Sequence, residues 1–345
     1  MLDKIKHKIY HSDIKQLTKI KYSLKITNRA QSDHRIAKEA KMARIVHGNH
    51  PFNAPKDQPM RIGHEQFGYF TYPDIEFLGS SDLNCLFVST DKLTMGYYEF
   101  QPGGQFDPPD HHPGDECYYI LQGQLTETNC HSGQACTLNP EDVLLIPHGA
   151  AHGGHNFSNK KMKAVFALAP NMVKPGTQTF PTDLAGKVRV LKGAQEADFT
   201  HYEAVEEKRY IGSIDRLGNW PVQDEELRVM PKYLRVNRPD NRLDIIVGEK
   251  NPYLMRFAFS TKYMNFGNLV LPRGGNGCRI SDPESHKGQS AFYVKSGCLC
   301  FIITETRETF KLYPGEVMYI PENCEYQMMN YEEEAAEAIF AISEL

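Results

Sequence analysis

Short apolar runs, each only a few residues long, follow one another along most of the chain. They are rich in β-branched and aromatic residues and are bounded by Gly, Pro, Asn or Asp. Runs of this kind predict β-strands joined by turns. They extend from about residue 66 to 170 as GYFTY, CLFVST, MGYYEF, CYYILQG, DVLLIP and KAVFALAP, and resume from about Leu243 to the C-terminus. The pattern therefore indicates an all-β fold.

One segment near the N-terminus departs from the strand pattern. Residues 32–47 are rich in Ala and Lys, Ser32 or Asp33 can cap their start, and Gly48 follows their end. These features predict a short helix. The helix belongs to a basic arm, because residues 1–50 carry twelve Lys or Arg against four acids while the whole chain has a net charge of −4.

The strand-rich part of the chain contains an internal repeat. A shift of 174 positions aligns residues 109–168 with residues 283–342 without a gap. A register held over such a length indicates that one domain was duplicated, so that each copy is a complete fold. The matched pairs include Pro109 and Pro283, His112 and His286, Tyr119 and Tyr293, Gly123 and Gly297, and Pro147 and Pro321.

A spacing pattern in the first repeat combines turn residues with potential metal ligands. In chain order it contains Gly104, Asp110, His112, Glu116 and Gly123, then Glu141, Pro147, Gly149, His152 and Asn156. This spacing resembles the two motifs of the cupin superfamily, G(x)5HxH(x)3,4E(x)6G and G(x)5PxG(x)2H(x)3N. Asp110 stands where the family has its first His, and Glu141 where it has Gly.

The resemblance, which extends to double-cupin dioxygenases, implies an all-β fold of two tandem jelly-roll barrels with a short helical N-terminal arm. We predict four parts. They are a basic arm with the helix (1–60), an N-terminal barrel with the metal site (61–170), a linker that contains Trp220 (171–237), and a C-terminal barrel (238–345).

Strand geometry explains the spacing of the potential ligands. Residues i and i+2 of a strand face the same side, so Asp110 and His112 point inward together. Glu116 begins the next strand, and His152 enters from the strand after a second turn. Three or four ligands from separate strands thus converge in one barrel.

His112, Glu116 and His152 are the predicted metal ligands, and Asp110 is predicted as a fourth. Asp110 could instead orient a ligand or a bound water. Two histidines and one carboxylate are typical of non-haem Fe(II) oxygenases, so we expect Fe(II), with Mn(II), Zn(II) and Ni(II) as alternatives. Glu116 or Asp110 is the candidate catalytic base.

The second repeat does not keep this set. Its equivalent positions are Glu284, His286, Ser290 and Tyr326. Ser and Tyr are poor ligands for a divalent transition metal at neutral pH. We therefore predict that the second barrel has a structural role and that its metal site is degenerate.

Aromatic side chains are predicted to line the first barrel: Tyr118, Phe100, Phe106 and Phe166, with Tyr97 or Tyr98 beside them. Lys92 is the only Lys or Arg between Leu83 and Asn159. A site for a multiply charged anion usually supplies Arg, so a neutral or singly charged, partly apolar substrate is favoured.

The leading functional hypothesis is a metal-dependent oxygenase for a small aromatic or enolic compound. The alternatives are a metal-dependent isomerase, lyase or decarboxylase, and a non-catalytic binder of small molecules. The fold does not choose between them.

Charge and composition limit the expected partners. No motif for nucleic-acid binding accompanies the basic arm, so we interpret the arm as solvated or packed on the acidic remainder or on a second subunit. No apolar run approaches the roughly 18 residues of a membrane helix. We expect a cytoplasmic protein with reduced thiols, a small-molecule substrate, no nucleic-acid or membrane partner, and a homo-oligomer as an open alternative.

Overall fold

The computed structural model describes residues 44–47, 57–64, 68–71, 82–105, 112, 114–129, 134–170, 233–248, 252–274 and 283–344. Within these ranges the regular secondary structure is almost entirely β-strand, and a 3-10 turn at Pro239–Asn241 is a helical exception. The predicted all-β fold is confirmed. No helix in this part of the chain is long and apolar enough to cross a membrane.

The first barrel is built from an eight-stranded and a three-stranded sheet. Its strands are β1 (Arg44–His47), β3 (Gly68–Thr71), β4 (Asp82–Ser89), β5 (Thr94–Phe100), β6 (Asp115–Gln122), β7 (Leu125–Asn129), β8 (Ala135–Leu138), β9 (Val143–Ile146), β10 (His152–His155), β11 (Met162–Ala169) and β12 (Arg235–Asn237). The strand orders of the two sheets are β1-β3-β4-β5-β11-β6-β9-β12 and β10-β7-β8.

The second barrel repeats this arrangement with sheets of seven and three strands. Its strands are β2 (Met60–Ile62), β13 (Leu243–Val247), β14 (Tyr253–Ser260), β15 (Met264–Leu271), β16 (Ser290–Ser296), β17 (Leu299–Ile303), β18 (Thr309–Leu312), β19 (Val317–Ile320), β20 (Tyr326–Met329) and β21 (Ala336–Ser343). The strand orders are β13-β14-β15-β21-β16-β19-β2 and β18-β17-β20. The strands from β7 to β11 map onto those from β17 to β21 with the same constant shift along the chain that the sequence repeat shows.

The two barrels exchange edge strands. β2 precedes the first barrel in the chain, yet Met60–Ile62 pair with β19 of the second barrel. In return β12, which lies in the predicted linker segment, pairs with β9 of the first barrel. Because β9 and β19 are equivalent strands of the repeat, each exchanged strand covers the same edge of the other barrel.

The predicted helix of residues 32–47 needs a correction at its end. Arg44–His47 form β1, which pairs antiparallel with β3. The rich Ala and Lys content favours a helix locally, but pairing with a neighbouring strand outweighs this weak preference. Residues 32–43, and most of the linker with Trp220, lie outside the described residues.

Alternate faces of the same strands form separate cores. On β6, Tyr118 and Ile120 face the interior of the first barrel, whereas Cys117 and Tyr119 belong to a cluster shared by both barrels. In this shared core the rings of Phe87 and Tyr293 stack with centroids 5.5 Å apart. The packing of the barrels therefore uses the outer face of β6 and leaves its inner face to the site.

Candidate metal centre

Three predicted ligands of the first barrel meet in one buried cluster. His112 lies just before β6, Glu116 is the second residue of β6, and His152 begins β10. Glu116 Oε2 is 3.3 Å from the Nε2 atoms of both His112 and His152. All three side chains are at most 5% exposed. Among the residues that the structure describes, this is the one group of three or more His, Cys, Asp or Glu side chains close enough to share a metal ion.

Hydrogen bonding fixes the orientation of His152. Its Nδ1 lies 3.0 Å from the carbonyl oxygen of Ala150, so Nδ1–H is the donor. The other ring nitrogen, Nε2, then faces Glu116 and the hydroxyl of Tyr118, which is 3.4 Å away. An imidazole held in this way by a backbone carbonyl presents the nitrogen that binds a metal ion.

The cluster is strongly polarised. Burial opposes ionisation of Glu116, but His112 and His152 outweigh it and lower the pKa of this carboxyl to about 2. Burial likewise opposes protonation of His152, but Glu116 outweighs it and raises the pKa of this imidazole to about 9. A carboxylate that stays charged and an imidazole that holds a proton at neutral pH make a site where a divalent cation can replace the proton.

The residues present fit a divalent transition metal. Two imidazoles and one carboxylate are donors of the right type. Their ligand atoms lie within 4.8 Å of one another. Glu116 Oε2 is buried and forms no regular hydrogen bond in the described part of the chain, although two Nε2 atoms lie 3.3 Å from it. A buried carboxylate oxygen between two imidazole nitrogens favours a bound ion that all three would share.

Predicted lining residues lie in the interior of the same barrel. The rings of Tyr118 and Phe100 lie with centroids 5.0 and 5.1 Å from the ring of Tyr98, and Phe166 is 6.0 Å from it. All four rings are buried and belong to the core of the first barrel. Tyr98, one of two neighbouring candidates in the sequence, is the one that points inward. Asp110 and Phe106 lie outside the described residues, so their roles stay predictions.

Glu127 also faces this interior, although it lies outside the motif spacing of the sequence. It lies on β7, is 1% exposed, and its Oε1 has no hydrogen-bond partner in the described ranges. Burial, together with the charge of Glu116, raises the pKa of Glu127 to about 8, although His152 acts in the opposite direction. The signal that could have found it is the alternation along Leu125–Asn129, which places Glu127 on the same face as Leu125.

The equivalent place in the second barrel is filled differently. His286 Nε2 lies 3.0 Å from the hydroxyl of Tyr326, which occupies the position of His152. Glu284 accepts a hydrogen bond of 2.7 Å from the hydroxyl of Tyr253. Ser290, at the position of Glu116, is fully buried. Burial lowers the pKa of His286, although Glu284 opposes this, so the imidazole is neutral and held by Tyr326.

Comparisons with known proteins agree with this architecture. The family model described as "Cupin domain" matches residues 96–168, which include all three clustered ligands. No curated protein sequence matches the chain. A deletion mutant of oxalate decarboxylase OxdC from Bacillus subtilis has a similar structure, with a TM-score of 0.52 and 14% identity over 82% of this chain and 76% of that chain.

Two other solved structures are similar at a lower level. Protein Ylba from E. coli has a TM-score of 0.49 and 12% identity, covering 88% of this chain and 95% of its own. AerE from Microcystis aeruginosa has a TM-score of 0.47 and 10% identity, covering 76% of this chain and 96% of its own. The oxalate decarboxylase structure, with the higher TM-score, supports the fold of this chain. Its low sequence identity carries no statement about function.

Proposed function

We propose that the first barrel, in which residues 96–168 match the cupin domain model, is a metal-dependent oxygenase for a small aromatic or enolic compound. The observation that supports this most is the buried cluster of His112, Glu116 and His152. Two imidazoles and one carboxylate leave positions open on a metal ion and are typical of non-haem Fe(II) oxygenases. Fe(II) is the metal we propose, with Mn(II), Zn(II) and Ni(II) as alternatives.

Each residue of the cluster has a definite task in this proposal. His112 and His152 would hold the ion through Nε2, and Glu116 would hold it through a carboxylate oxygen and neutralise part of its charge. When bound, the ion supplies Lewis acidity and a redox centre, which lowers the pKa of a coordinated hydroxyl group. The Ala150 carbonyl keeps the His152 ring in place, so the ligand set is prepared before the substrate arrives.

The interior of the barrel favours a substrate without several negative charges. Glu116 stays ionised in this interior, because its pKa is about 2, and adding an anion beside it would be unfavourable. Lys92, the only Lys or Arg between residues 83 and 159, forms a 2.7 Å ion pair with Glu322 of the second barrel. The rings of Tyr98, Tyr118 and Phe100 offer an apolar wall on which a planar compound can pack.

We propose that Asp110 also serves this site. It would be a fourth ligand, or it would orient a bound water and accept a proton from the substrate. The two cases separate in Asp110→His and Asp110→Asn variants. If Asp110 is a ligand, Asp110→His should keep the metal bound and Asp110→Asn should lose metal affinity. If Asp110 orients a bound water, Asp110→Asn should keep the ion and lose about 10–100-fold in activity.

The test is oxygen uptake by protein purified without air, loaded with Fe(II) and supplied with a panel of catechols and enols. We expect uptake that depends on iron and falls at least about 100-fold in His152→Ala, because a ligand and its bond are lost together. His286→Ala is the matched control, since His286 occupies the position of His112 in the second barrel, and it should keep full activity. Metal binding without oxygen uptake, with carbon dioxide release or isomerisation instead, would overturn the oxygenase. Failure to bind any divalent ion would overturn the metal site.

A further inference from the structure

Glu127 is placed in the barrel interior by strand alternation. On β7 the side chains of Leu125, Glu127 and Asn129 are buried, while Thr126 and Thr128 between them are partly exposed. Thr128 donates to the Gly153 carbonyl and Thr126 pairs with Thr137, so the outer face has its own contacts. The carboxyl of Glu127 therefore lies among the aromatic residues of the interior.

The strand opposite Glu127 leaves room for the carboxyl. In the antiparallel pairing of β7 with β10, Glu127 faces Gly154 and Asn129 faces His152. A Cβ atom at Gly154 would lie 2.9 Å from Glu127 Oε2 and 3.0 Å from the ring of Phe100. Any larger residue at Gly154 would push the carboxyl aside, so the observed position of the Glu127 carboxyl requires glycine at position 154.

The pairing also places Glu127 near the metal cluster. Glu127 and His152 are diagonal neighbours on the inner face of the β7–β10 pair. Diagonal neighbours in an antiparallel pair lie roughly 7–8 Å apart. This is a backbone separation that long side chains can bridge. Glu127 nevertheless lies outside the group of ligand atoms formed by His112, Glu116 and His152, so a small ring held at that group by one oxygen atom can turn its neighbouring oxygen toward Glu127.

The second barrel shows that the fold does not need this carboxyl. In the register of the repeat, Glu127 corresponds to Phe301, Gly154 to Met328 and Tyr118 to Phe292. Phe301 and Met328 face each other in the same strand pairing and are both buried in an apolar core. The same strand pair therefore packs well with two apolar side chains. Packing alone does not explain why the first barrel has Glu127 and Gly154 at these positions.

A buried carboxyl oxygen without a partner is costly unless a ligand completes it. Glu127 Oε1 is buried and has no hydrogen-bond partner in the described residues. Whether ionised or protonated, a carboxyl oxygen accepts a hydrogen bond from a hydroxyl group. This oxygen is thus an unfilled polar position in a wall that is otherwise aromatic.

We propose that Glu127 is a substrate-binding residue that accepts a hydrogen bond from a hydroxyl group of an uncharged enediol or catechol, whose neighbouring oxygen lies toward His112, Glu116 and His152. The proposal rests on the proposed function of this barrel and adds the substrate class. Glu127 does not hold the metal. It selects for a ligand with a hydroxyl next to the coordinating oxygen. It disfavours dicarboxylates, because a second ionised carboxylate would lose its hydration among the aromatic side chains of this wall.

The test measures binding, with the barrel loaded with redox-silent Zn(II). The probes are 4-nitrocatechol, followed by its visible absorption, and 2-methoxy-4-nitrophenol, which has a methoxy group in place of one hydroxyl. We expect Glu127→Leu to keep the metal content of the wild type and to bind 4-nitrocatechol at least about 10-fold more weakly, as a buried hydrogen bond is lost. The wild type should bind 4-nitrocatechol more tightly than 2-methoxy-4-nitrophenol, and the ratio of these two affinities should shrink in Glu127→Leu by a similar factor. Thr126→Val, on the outer face of the same strand, is the control and should change neither value.

Each other outcome has a definite meaning. Loss of zinc from Glu127→Leu would make Glu127 a ligand and overturn the proposal. Unchanged zinc content with unchanged affinity for both probes would also overturn it, since Glu127 would then not touch the substrate. Tighter binding of oxalate than of 4-nitrocatechol by the wild type would overturn the substrate class. Failure of the proposed function is separate, because it shows as absent metal or absent oxygen uptake in the wild type.

Discussion

Lys295 of the second barrel forms an ion pair with Glu141 of the first, where the backbone of Glu141 has a φ of +75°. The equivalent position in the second repeat is Gly315, with a φ of +90°. Glycine adopts this left-handed conformation without steric cost, whereas glutamate does not. The Glu141 carboxylate also accepts a hydrogen bond from the buried Tyr119. Contacts between the barrels thus stabilise a residue that is locally unfavourable.

Substitutions at Glu141 should separate these two effects. Glu141→Ala loses the contacts and keeps the strained backbone, so it should lower the free energy of unfolding by about 1–2 kcal/mol. Glu141→Gly loses the same contacts but relieves the strain, and should be about 1 kcal/mol more stable than Glu141→Ala. Urea unfolding measures both values.

A control for the Glu141 variants comes from the exposed ion pair of Lys311 with Glu332. Glu332→Ala should leave the free energy of unfolding nearly unchanged, because solvent screens a pair on the surface. An alanine variant of Glu141 that is at least as stable as the glycine variant would contradict the account of backbone strain.

The degenerate site in the second barrel should be recoverable. It keeps His286 at the position of His112, while Ser290 and Tyr326 replace Glu116 and His152. Because β16 and β20 hold the same places in their sheets as β6 and β10, a Ser290→Glu, Tyr326→His variant should restore two imidazoles and a carboxylate. We expect bound zinc to rise from about one ion per chain to about two, as measured by elemental analysis. The same variant with His286→Ala should return to about one. Two ions in the wild type would contradict the prediction of a single site.

Sequence spacing predicted the cluster of His112, Glu116 and His152. Glu116 lies on β6 and His152 begins β10, so strand alternation explains their inward position, whereas His112 precedes β6 and was found from the motif spacing. Glu127 was not predicted, since a carboxylate within a strand normally marks the solvent face. Its burial depends on Gly154, which lies on another strand and faces it only in the folded sheet.

The exchanged strands could not be predicted from local pattern either. Met60–Ile62 is only three residues long and pairs with Val317–Tyr319 far along the chain. A strand this short has no periodicity of its own, and long-range pairing decides its place. Arg44–His47 shows the same effect, because its composition favours a helix and its pairing with β3 makes it a strand. Asp110 remains a prediction from spacing alone.

Metal affinity should depend on pH through His152. Glu116 raises the pKa of this imidazole to about 9, even though burial acts in the opposite direction. A proton therefore occupies the site at neutral pH, and the metal must displace it. Affinity should rise about tenfold per pH unit below pH 9 and level off above it. Glu116, with a pKa of about 2, stays ionised and adds no slope in this range.

Competition with a fluorescent zinc chelator between about pH 6.5 and 9.5 measures the slope. An affinity that does not change with pH would contradict the ion pair.

The stability of the metal-free protein should fall with rising pH because of Glu127. Burial and the charge of Glu116 raise the pKa of this carboxyl from 4.5 to about 8, while His152 opposes the shift. Between these values the folded state holds a proton that the unfolded state has lost, so the free energy of unfolding declines by up to about 1.4 kcal/mol per pH unit. His152 adds its own decline only above its ordinary pKa of 6.5, since it stays protonated in both states below that value. His286 acts in the opposite direction below pH 6.5, because its lowered pKa lets the unfolded state bind more protons. The difference in slope between the wild type and a Glu127 variant from about pH 5 to 6.5 therefore isolates Glu127.

Glu127→Gln should flatten the decline within this window and make the chelator-treated protein more stable than the wild type near pH 8, by on the order of a few kcal/mol. Glutamine has the same shape and cannot ionise, so packing is kept while the cost of a buried charge is removed. Urea unfolding at several pH values gives both slopes, and Glu334→Gln, on the surface, should leave the slope unchanged. Equal slopes for Glu127→Gln and the wild type would show that the carboxyl titrates normally. A variant that is more stable yet binds the catechol probe less well would show that Glu127 is kept for the ligand and not for the fold.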